Sequence, residues 1–208
     1  MRQTMEQTPE SDPIERATRG PFDLSEVPGL DPDDGSRINL GGMILTPMEN
    51  SEVRLQLDDQ TGQILAVVVV GQEAAVEVRA FAAARNGERW AQLLPQVVQA
   101  AIDAGGKAEQ SDGPFGTELI CEVPAIDPDG VAGQLVTRVV GIDGPRWLLR
   151  VTFMGRPATD DAAAAQWENY IRTIVVNRGS GAMAPGVELP LSLPPDAQPM
   201  AAPGESDL

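Results

Sequence analysis

The residues best suited to chemistry in this chain are arginines close to a turn. The segment Gly141–Arg150 (GIDGPRWLLR) contains Arg146 and Arg150, and Arg138 lies just before it. A guanidinium group stays charged and can hold a carboxylate or a phosphate through two parallel hydrogen bonds. The chain has 31 acidic and 15 basic residues and a net charge of −16. We therefore interpret these arginines either as ion-pair partners of the chain's own carboxylates or as a patch for an anion or an acidic partner.

The register of the surrounding strands decides which arginines share a surface. A strand that begins at Arg146 sends Arg146 and Arg150 to one face and the apolar residues between them to the core. Asp143-Gly144 is a hairpin signal, and a two-residue turn there would place Arg138 opposite Leu149. The sequence alone leaves open whether Arg138 lies on the same face as Arg150.

A second set of charged residues, Glu118, Asp143 and Arg146, suits a different function. Carboxylates and an arginine could bind or transform a small ligand, such as a phosphorylated or nucleotide-like substrate. This hypothesis requires the three side chains to converge in one concave pocket. The chain has no histidine, and it contains neither a Gly-x-x-x-x-Gly-Lys nor a Gly-x-Gly-x-x-Gly phosphate loop. We expect no assignable catalytic residue, no metal site and no cofactor.

The composition excludes several classes of partner. A sequence pI near 4.2 argues against binding to nucleic acid or to an anionic membrane surface, because both require excess positive charge. The sequence has no apolar run of the roughly 20 residues that a membrane span needs, and no secretory signal. The single cysteine, Cys121, cannot form an intrachain disulfide, and alternation predicts that it is buried. We expect a cytoplasmic protein.

Strand patterns dominate the middle of the chain. Period-two alternation predicts strands at Arg37–Leu45, Glu52–Asp58 and Ala74–Ala83, and the Val-rich run Ile64–Val70 indicates a strand buried on both faces. Short links between these four segments favour a meander. Three more strands are predicted at Gly116–Val123, Gln134–Ile142 and Arg146–Met154.

Two helices are predicted among these strands. Apolar residues at helical spacing between Trp90 and Ile102 form one face, with Pro95 inside it and Gly105-Gly106 as the stop signal. Thr159–Asp161 begin a second helix that continues over Ala162–Ile174. The order of elements predicts an α+β fold, with a mostly antiparallel sheet and two helices packed on it.

The two ends of the chain differ from the middle in composition. Residues 1–36 hold nine acids against three arginines and five prolines, which is typical of a disordered acidic arm. Within the arm, Phe22, Leu24 and Val27 could bind across the domain surface or form a short partner motif. We predict a single domain over residues 37–178 and a proline-rich tail over 179–208 that is partly docked.

Five short motifs carry a resemblance to a known family: Gly20–Asp23, Arg79–Ala82, Gly113–Leu119, Gly141–Arg150 and Leu189–Pro194. Over about residues 15–195 the chain resembles an uncharacterised actinobacterial family that is described only as a domain of unknown function. The resemblance implies no catalytic residues. The order of elements is also similar to PsbP-like and mycobacterial lipoprotein α/β folds, which implies a fold and no function.

The sequence therefore supports two hypotheses about function. The first is a non-enzymatic interaction module that binds a protein partner through an arginine-bearing sheet face, and it predicts that Arg146→Glu with Arg150→Glu abolishes binding. The second is a small-ligand protein or enzyme that uses Glu118, Asp143 and Arg146. Homodimerisation through an exposed edge strand is compatible with the first hypothesis.

Overall fold

A computed structural model describes residues 19–58, 60–85, 88–126 and 129–193. Two α-helices lie within these ranges, α1 (Arg89–Asp103) and α2 (Asp161–Arg172), with short 3₁₀ helices at Leu24–Glu26 and Arg156–Ala158. The same ranges contain eleven strands, which in chain order are β1 (Phe22–Asp23), β2 (Ile38–Asn39), β3 (Met43–Leu45), β4 (Glu52–Leu57), β5 (Ile64–Val70), β6 (Ala74–Ala82), β7 (Lys107–Gly113), β8 (Gly116–Ile126), β9 (Ala132–Asp143), β10 (Trp147–Gly155) and β11 (Val175–Val176).

A seven-stranded antiparallel sheet forms the centre of the molecule, in the order β4-β5-β6-β10-β9-β8-β7. Two meanders, one of β4–β6 and one of β7–β10, meet where β6 pairs with β10 over nine residue pairs from Trp147 with Ala82 to Gly155 with Ala74. The prediction of an α+β fold built on a mostly antiparallel sheet is confirmed.

The predicted strand Arg37–Leu45 is wrong as a single element. It forms two short strands, β2 and β3, that pair with each other in a separate four-stranded sheet with β11 and β1. The chain turns between them because Gly41 adopts a positive φ of 75° and its N–H is bonded by the side chain of Asn39. The predicted meander therefore holds for β4, β5 and β6 only.

Strand β7 is absent from the sequence predictions. Its sequence, KAEQSDG, is almost entirely polar, and most of its side chains are exposed because it lies at the edge of the sheet. An edge strand with charged side chains has no hydrophobic alternation to reveal it. Its pairing with β8 instead follows from the tight turn Gly113–Gly116.

The two faces of the large sheet are covered differently. The inner face packs against α2 and the small sheet and contains the larger apolar cluster, whose bulkiest members are Trp147, Phe153 and Trp167. The outer face carries a smaller cluster under α1, which contacts chiefly β7, β8 and β9. Strand β5 shows the consequence: Val67 and Val69 on its inner face are buried, whereas on its outer face Ala66 is buried but Val68 and Val70 are only half-buried. The prediction of burial on both faces therefore fails at Val68 and Val70, which α1 does not cover.

The helices begin and end close to the predicted residues. Helix α1 continues through Pro95, which lies on the exposed side of the helix and leaves one backbone donor missing. In α2, the Asp160 side chain accepts hydrogen bonds from the N–H groups of Ala162 and Ala163, as the predicted cap requires. Neither described helix has the length and apolar composition of a membrane span.

Segments from both ends of the chain contact the domain. Strand β1 pairs in parallel with β11, and the Asp23 carboxylate accepts a hydrogen bond from the Trp147 indole at 3.0 Å. Near the other end, Leu189 is buried in the inner core, and its N–H donates to the carbonyl of Ala80. Residues 1–18 and 194–208, which include parts of the predicted arm and tail, lie outside the described residues.

The contact between α1 and β9 gives a prediction about stability. A side chain at Gly141 would lie 2.1 Å from the indole of Trp90, whereas a side chain at Gly133 on the same strand would meet nothing within 4 Å. We expect Gly141→Ala to lower the free energy of unfolding by about 2 kcal/mol because it displaces Trp90. Gly133→Ala is the matched control and should leave stability unchanged or slightly higher.

Urea denaturation followed by circular dichroism measures both variants. Equal stability of Gly141→Ala and Gly133→Ala would show that the contact between the Trp90 ring and Gly141 does not hold α1 in place.

Candidate functional site

The hairpin between β9 and β10 sets the positions of the arginines. Asp143 pairs with Leu148, and the Gly144 N–H donates to the carbonyl of Trp147 at 2.8 Å. The predicted turn at Asp143-Gly144 is wrong, because the turn lies two residues further along the chain; the register therefore shifts by four residues, and Arg138 lies opposite Phe153 instead of Leu149. The indole of Trp147 lies so close to Gly144 that a Cβ there would be 2.1 Å from the ring. The close approach of the ring therefore requires glycine at this position.

Arg138 lies on the inner face and is only 4% exposed. It pairs across the sheet with Phe153, and its guanidinium group lies 4.4 Å from the centre of that ring. Its Nε is 3.6 Å from a carboxylate oxygen of Glu118, and its Nη2 bonds the carboxylate of Glu168 on α2. Arg138 therefore ties α2 to the sheet, on the face opposite to Arg150.

Glu118 lies in the same buried cluster. Its carboxylate covers Gly113, where a Cβ would come within 2.2 Å of it. Burial raises the pKa of Glu118, and the neighbouring Arg138 lowers it by a smaller amount. Glu118 is thus a partner of Arg138 in the interior and does not face the arginines of the hairpin.

Asp143 lies at the N-terminus of α1. Its carboxylate accepts hydrogen bonds from the N–H groups of Arg89, at 3.0 Å, and of Trp90, at 3.2 Å. Burial raises the pKa of Asp143, while these two hydrogen bonds act in the opposite direction. Glu88, the residue before the helix, makes no side-chain cap, so a carboxylate from a distant strand takes that role.

Arg146 donates from its guanidinium group to the carbonyl of Gly179 at 3.1 Å. Glu118 faces the inner side of the sheet and Asp143 caps a helix on the outer side. The three residues of the small-ligand hypothesis therefore do not converge in one pocket, and the geometric condition for that hypothesis is not met.

Arg150 has a different neighbour from those that the sequence suggested. It lies directly opposite Arg79 in the pairing of β10 with β6, on the outer face. Both side chains are about one quarter exposed, at 26% each. Like charges at directly opposed positions destabilise a sheet, so this pair needs compensation from its surroundings. We call Arg79 and Arg150 the arginine pair.

An aromatic ring and two carboxylates provide that compensation. The two guanidinium groups lie 5.8 Å and 5.7 Å from the centre of the Phe81 ring. Arg79 bonds the carboxylate of Glu188, and Arg150 approaches Glu77 at 3.5 Å. Stacking on an aromatic face and pairing with a carboxylate are both favourable for a half-buried arginine. The Nε atoms of Arg79 and Arg150 nevertheless have no hydrogen-bond partner among the described residues.

The electrostatics of the pair favour an added anion. Burial and, to a smaller extent, the charge of Arg79 lower the pKa of Arg150. A carboxylate that approached from outside would offset both effects, because it would stabilise the charged guanidinium groups. The arginine pair with Phe81 is therefore the candidate binding site.

Sequence reasoning identified Arg150 but missed Arg79 and Phe81 as site residues. Both belong to the motif Arg79–Ala82, which carried only the family resemblance. The pairing of β6 with β10 joins strands far apart in the chain, and no local pattern reveals it. Within the described ranges, no three Cys, Asp or Glu side chains lie close enough together to hold a metal ion.

The arrangement defines a class of protein: an α+β domain with helices on both faces of one antiparallel sheet and a paired-arginine site on its outer face. The chain belongs to the family described as "Protein of unknown function (DUF3710)", whose model matches residues 20–200. No curated protein matches the sequence.

The role of Asp143 as a distant cap gives a second prediction. Asp143→Ala removes the acceptor for two backbone N–H groups, so the free energy of unfolding should fall by about 1 kcal/mol. Asp143→Asn keeps an acceptor oxygen and should lower the free energy of unfolding by a smaller amount. Asp160→Ala, which removes the cap of α2, is the reference for the size of the effect, measured by urea denaturation.

The raised pKa of Glu118 gives a third prediction. The folded chain holds the Glu118 proton more tightly than the unfolded chain, where the pKa is near 4.5. The stability that this residue contributes is therefore full below that value and is lost as the pH rises through the folded pKa. Glu118→Gln removes this loss, so its stability relative to wild type should rise as the pH increases above about 4.5.

Glu122→Gln is the control for this pH dependence, because Glu122 lies on the same face of β8 but is 34% exposed. Urea denaturation at several pH values measures both variants. A Glu118→Gln curve parallel to that of wild type across this range would contradict the prediction.

Proposed function

We propose that this protein is a non-enzymatic interaction module that binds an acidic protein partner through the outer sheet face at the arginine pair. The observation that carries the proposal is the direct opposition of Arg79 and Arg150 across β6 and β10, over one aromatic ring. Arginine and aromatic side chains are the usual components of binding hot spots. The proposal includes the cytoplasm as the compartment, in keeping with a single cysteine.

A contact within the chain supports a carboxylate as the group that the partner presents to the arginine pair. Leu189 and Val187 form backbone hydrogen bonds with Ala80 and Ala82 of β6, and Glu188 between them bonds Arg79. An extended acidic segment thus already occupies one side of the arginine pair. Arg150 has a looser carboxylate contact, at 3.5 Å to Glu77, and is the member of the pair that a partner's carboxylate would bind.

The test first captures a protein partner and then measures its affinity for the chain. The tagged wild-type chain and Arg150→Gln are exposed to a cytoplasmic extract of the cells that naturally produce the protein, and a captured partner is then purified. We expect Arg150→Gln to raise the dissociation constant about 30-fold, since loss of a desolvated charge pair typically costs 2 kcal/mol or more. Affinity should also fall as salt is added.

Arg54→Gln is the matched control. Arg54 lies on the same outer face but is 60% exposed and pairs with Glu52, so the same substitution there should change affinity by less than about twofold. Circular dichroism confirms that each variant is folded. A partner that binds Arg150→Gln as tightly as wild type would exclude the arginine pair as the site.

Self-association is measured on the same preparations by analytical ultracentrifugation, because a second copy of the chain is the other protein partner proposed. A dimer that persists in Arg150→Gln would use a different surface, such as an edge strand. Recovery of no protein by the wild-type chain, together with a monomeric state, would overturn the proposed function.

A further inference from the structure

Residues 186–193, which we call the docked tail, run beside β6 as an added antiparallel strand. Glu188 forms a bridge with Phe81, and three backbone hydrogen bonds of 2.7 to 2.8 Å join residues 186–189 to Ala80 and Ala82. Strand β5 pairs with β6 only over Ala75–Val78. The docked tail therefore occupies the part of the β6 edge that β5 leaves unpaired. Addition of an extended strand to such an edge is a common way for proteins to bind a peptide.

One buried side chain anchors the docked tail. Leu189, which is 3% exposed in the inner core, is the only buried residue that the structure describes after Val176. Leu191 is only partly buried against the same core, and Val187 is 49% exposed. Burial of apolar surface is the main favourable contribution to a contact of this kind. The docking of the tail therefore depends chiefly on Leu189.

The link between β11 and the docked tail makes few backbone contacts. Within the described residues, no N–H group from 178 to 184 donates a backbone hydrogen bond. A side chain at Gly179 or Gly181 would meet nothing within 4 Å. Segments with few backbone hydrogen bonds and few packed side chains open at the lowest free energy in a folded protein. Release of the docked tail would leave the pairing of β6 with β10 intact.

We propose that the acidic partner binds by strand exchange, so that an extended segment of the partner pairs with β6 at Ala80–Ala82 in place of the docked tail. This inference rests on the proposed function and specifies the partner's segment. The tail itself supplies the pattern, an acidic residue between two apolar residues in Val187-Glu188-Leu189. The partner's carboxylate takes the place of Glu188 on Arg79, and its next apolar residue fills the site of Leu189.

The contact with Arg150 distinguishes the partner from the docked tail. Glu188 bonds Arg79, whereas the described carboxylate within 4 Å of Arg150 is that of Glu77, at 3.5 Å. A tethered segment competes at a high effective concentration, so a partner needs a contact that the tail does not form. A second carboxylate on the partner, bound to Arg150, is that additional contact.

The probe for strand exchange is a labelled peptide, acetyl-GVELPLSL-amide, which has the sequence of residues 186–193. Its binding to the full chain is measured by fluorescence anisotropy. Because the chain's own tail competes for the site, weaker docking of that tail lowers the apparent dissociation constant of the peptide. We expect Leu189→Ala in the chain to bind the peptide at least about tenfold more tightly than wild type. Glu188→Gln, which leaves the core intact, should bind it about threefold more tightly.

Leu193→Ala is the matched control. Leu193 is 48% exposed, so the same substitution there should change the affinity for the peptide by less than about twofold. The peptide should also raise the urea midpoint of Leu189→Ala, since it binds only the folded chain. Unchanged affinity for the peptide in both Leu189→Ala and Glu188→Gln would overturn strand exchange.

Strand exchange and the proposed function fail in different experiments. Arg150→Gln removes no contact of the docked tail, and Leu189→Ala leaves the arginine pair in place. A purified partner that binds Leu189→Ala no more tightly than wild type, yet loses affinity for Arg150→Gln, would overturn strand exchange and leave the proposed function intact. A wild-type dimer that dissociates when the peptide is added would show that the β6 edge holds the tail of a second copy, and it would overturn exchange with a different protein.

Discussion

The pairing of β6 with β10 is the constraint on which the rest of the molecule depends. It joins the two meanders into one sheet and places Val76, Val78 and Ala80 opposite Phe153, Val151 and Leu149 in the inner core. These residues are distant in sequence, so their pairing has to gain enough from apolar burial to offset the entropy of closing a long loop. The same register brings Arg79 opposite Arg150 on the outer face. The position of the arginine pair is thus fixed by the packing of the opposite face.

Unequal coverage of the two faces explains why this site is accessible. Two layers of structure cover the inner face, whereas α1 covers only the β7–β9 side of the outer face. Trp90 sets this limit, because its indole rests on Gly141 and donates a hydrogen bond to the carbonyl of Thr117 at 2.6 Å. Because α1 is held there, no helix covers the outer face of β4, β5 and β6. The tail segment around Glu188 covers part of the remaining surface.

The sequence predicts those elements whose signals are local. Helix α2 follows from the Asp160 cap and the spacing of Trp167 and Ile171, and the strand alternation of β10 correctly separates Arg150 from the core. The edge strand β7 could not be predicted, because its polar side chains have no buried face to produce a pattern. The arginine pair could not be predicted either, since its two members come from different meanders and meet only through long-range register.

Two features of the molecule run against local stability, and they differ in how far the fold compensates for them. The arginine pair is a like-charge contact, but Phe81, Glu77 and Glu188 offset most of its cost within the chain. The hydroxyl of Tyr170 has no such compensation among the described residues. Departures from local consistency in proteins concentrate at sites that serve function. The arginine pair is partly exposed, so its compensation by carboxylates suits exchange of one carboxylate partner for another, whereas the Tyr170 hydroxyl is enclosed and its cost falls on stability alone.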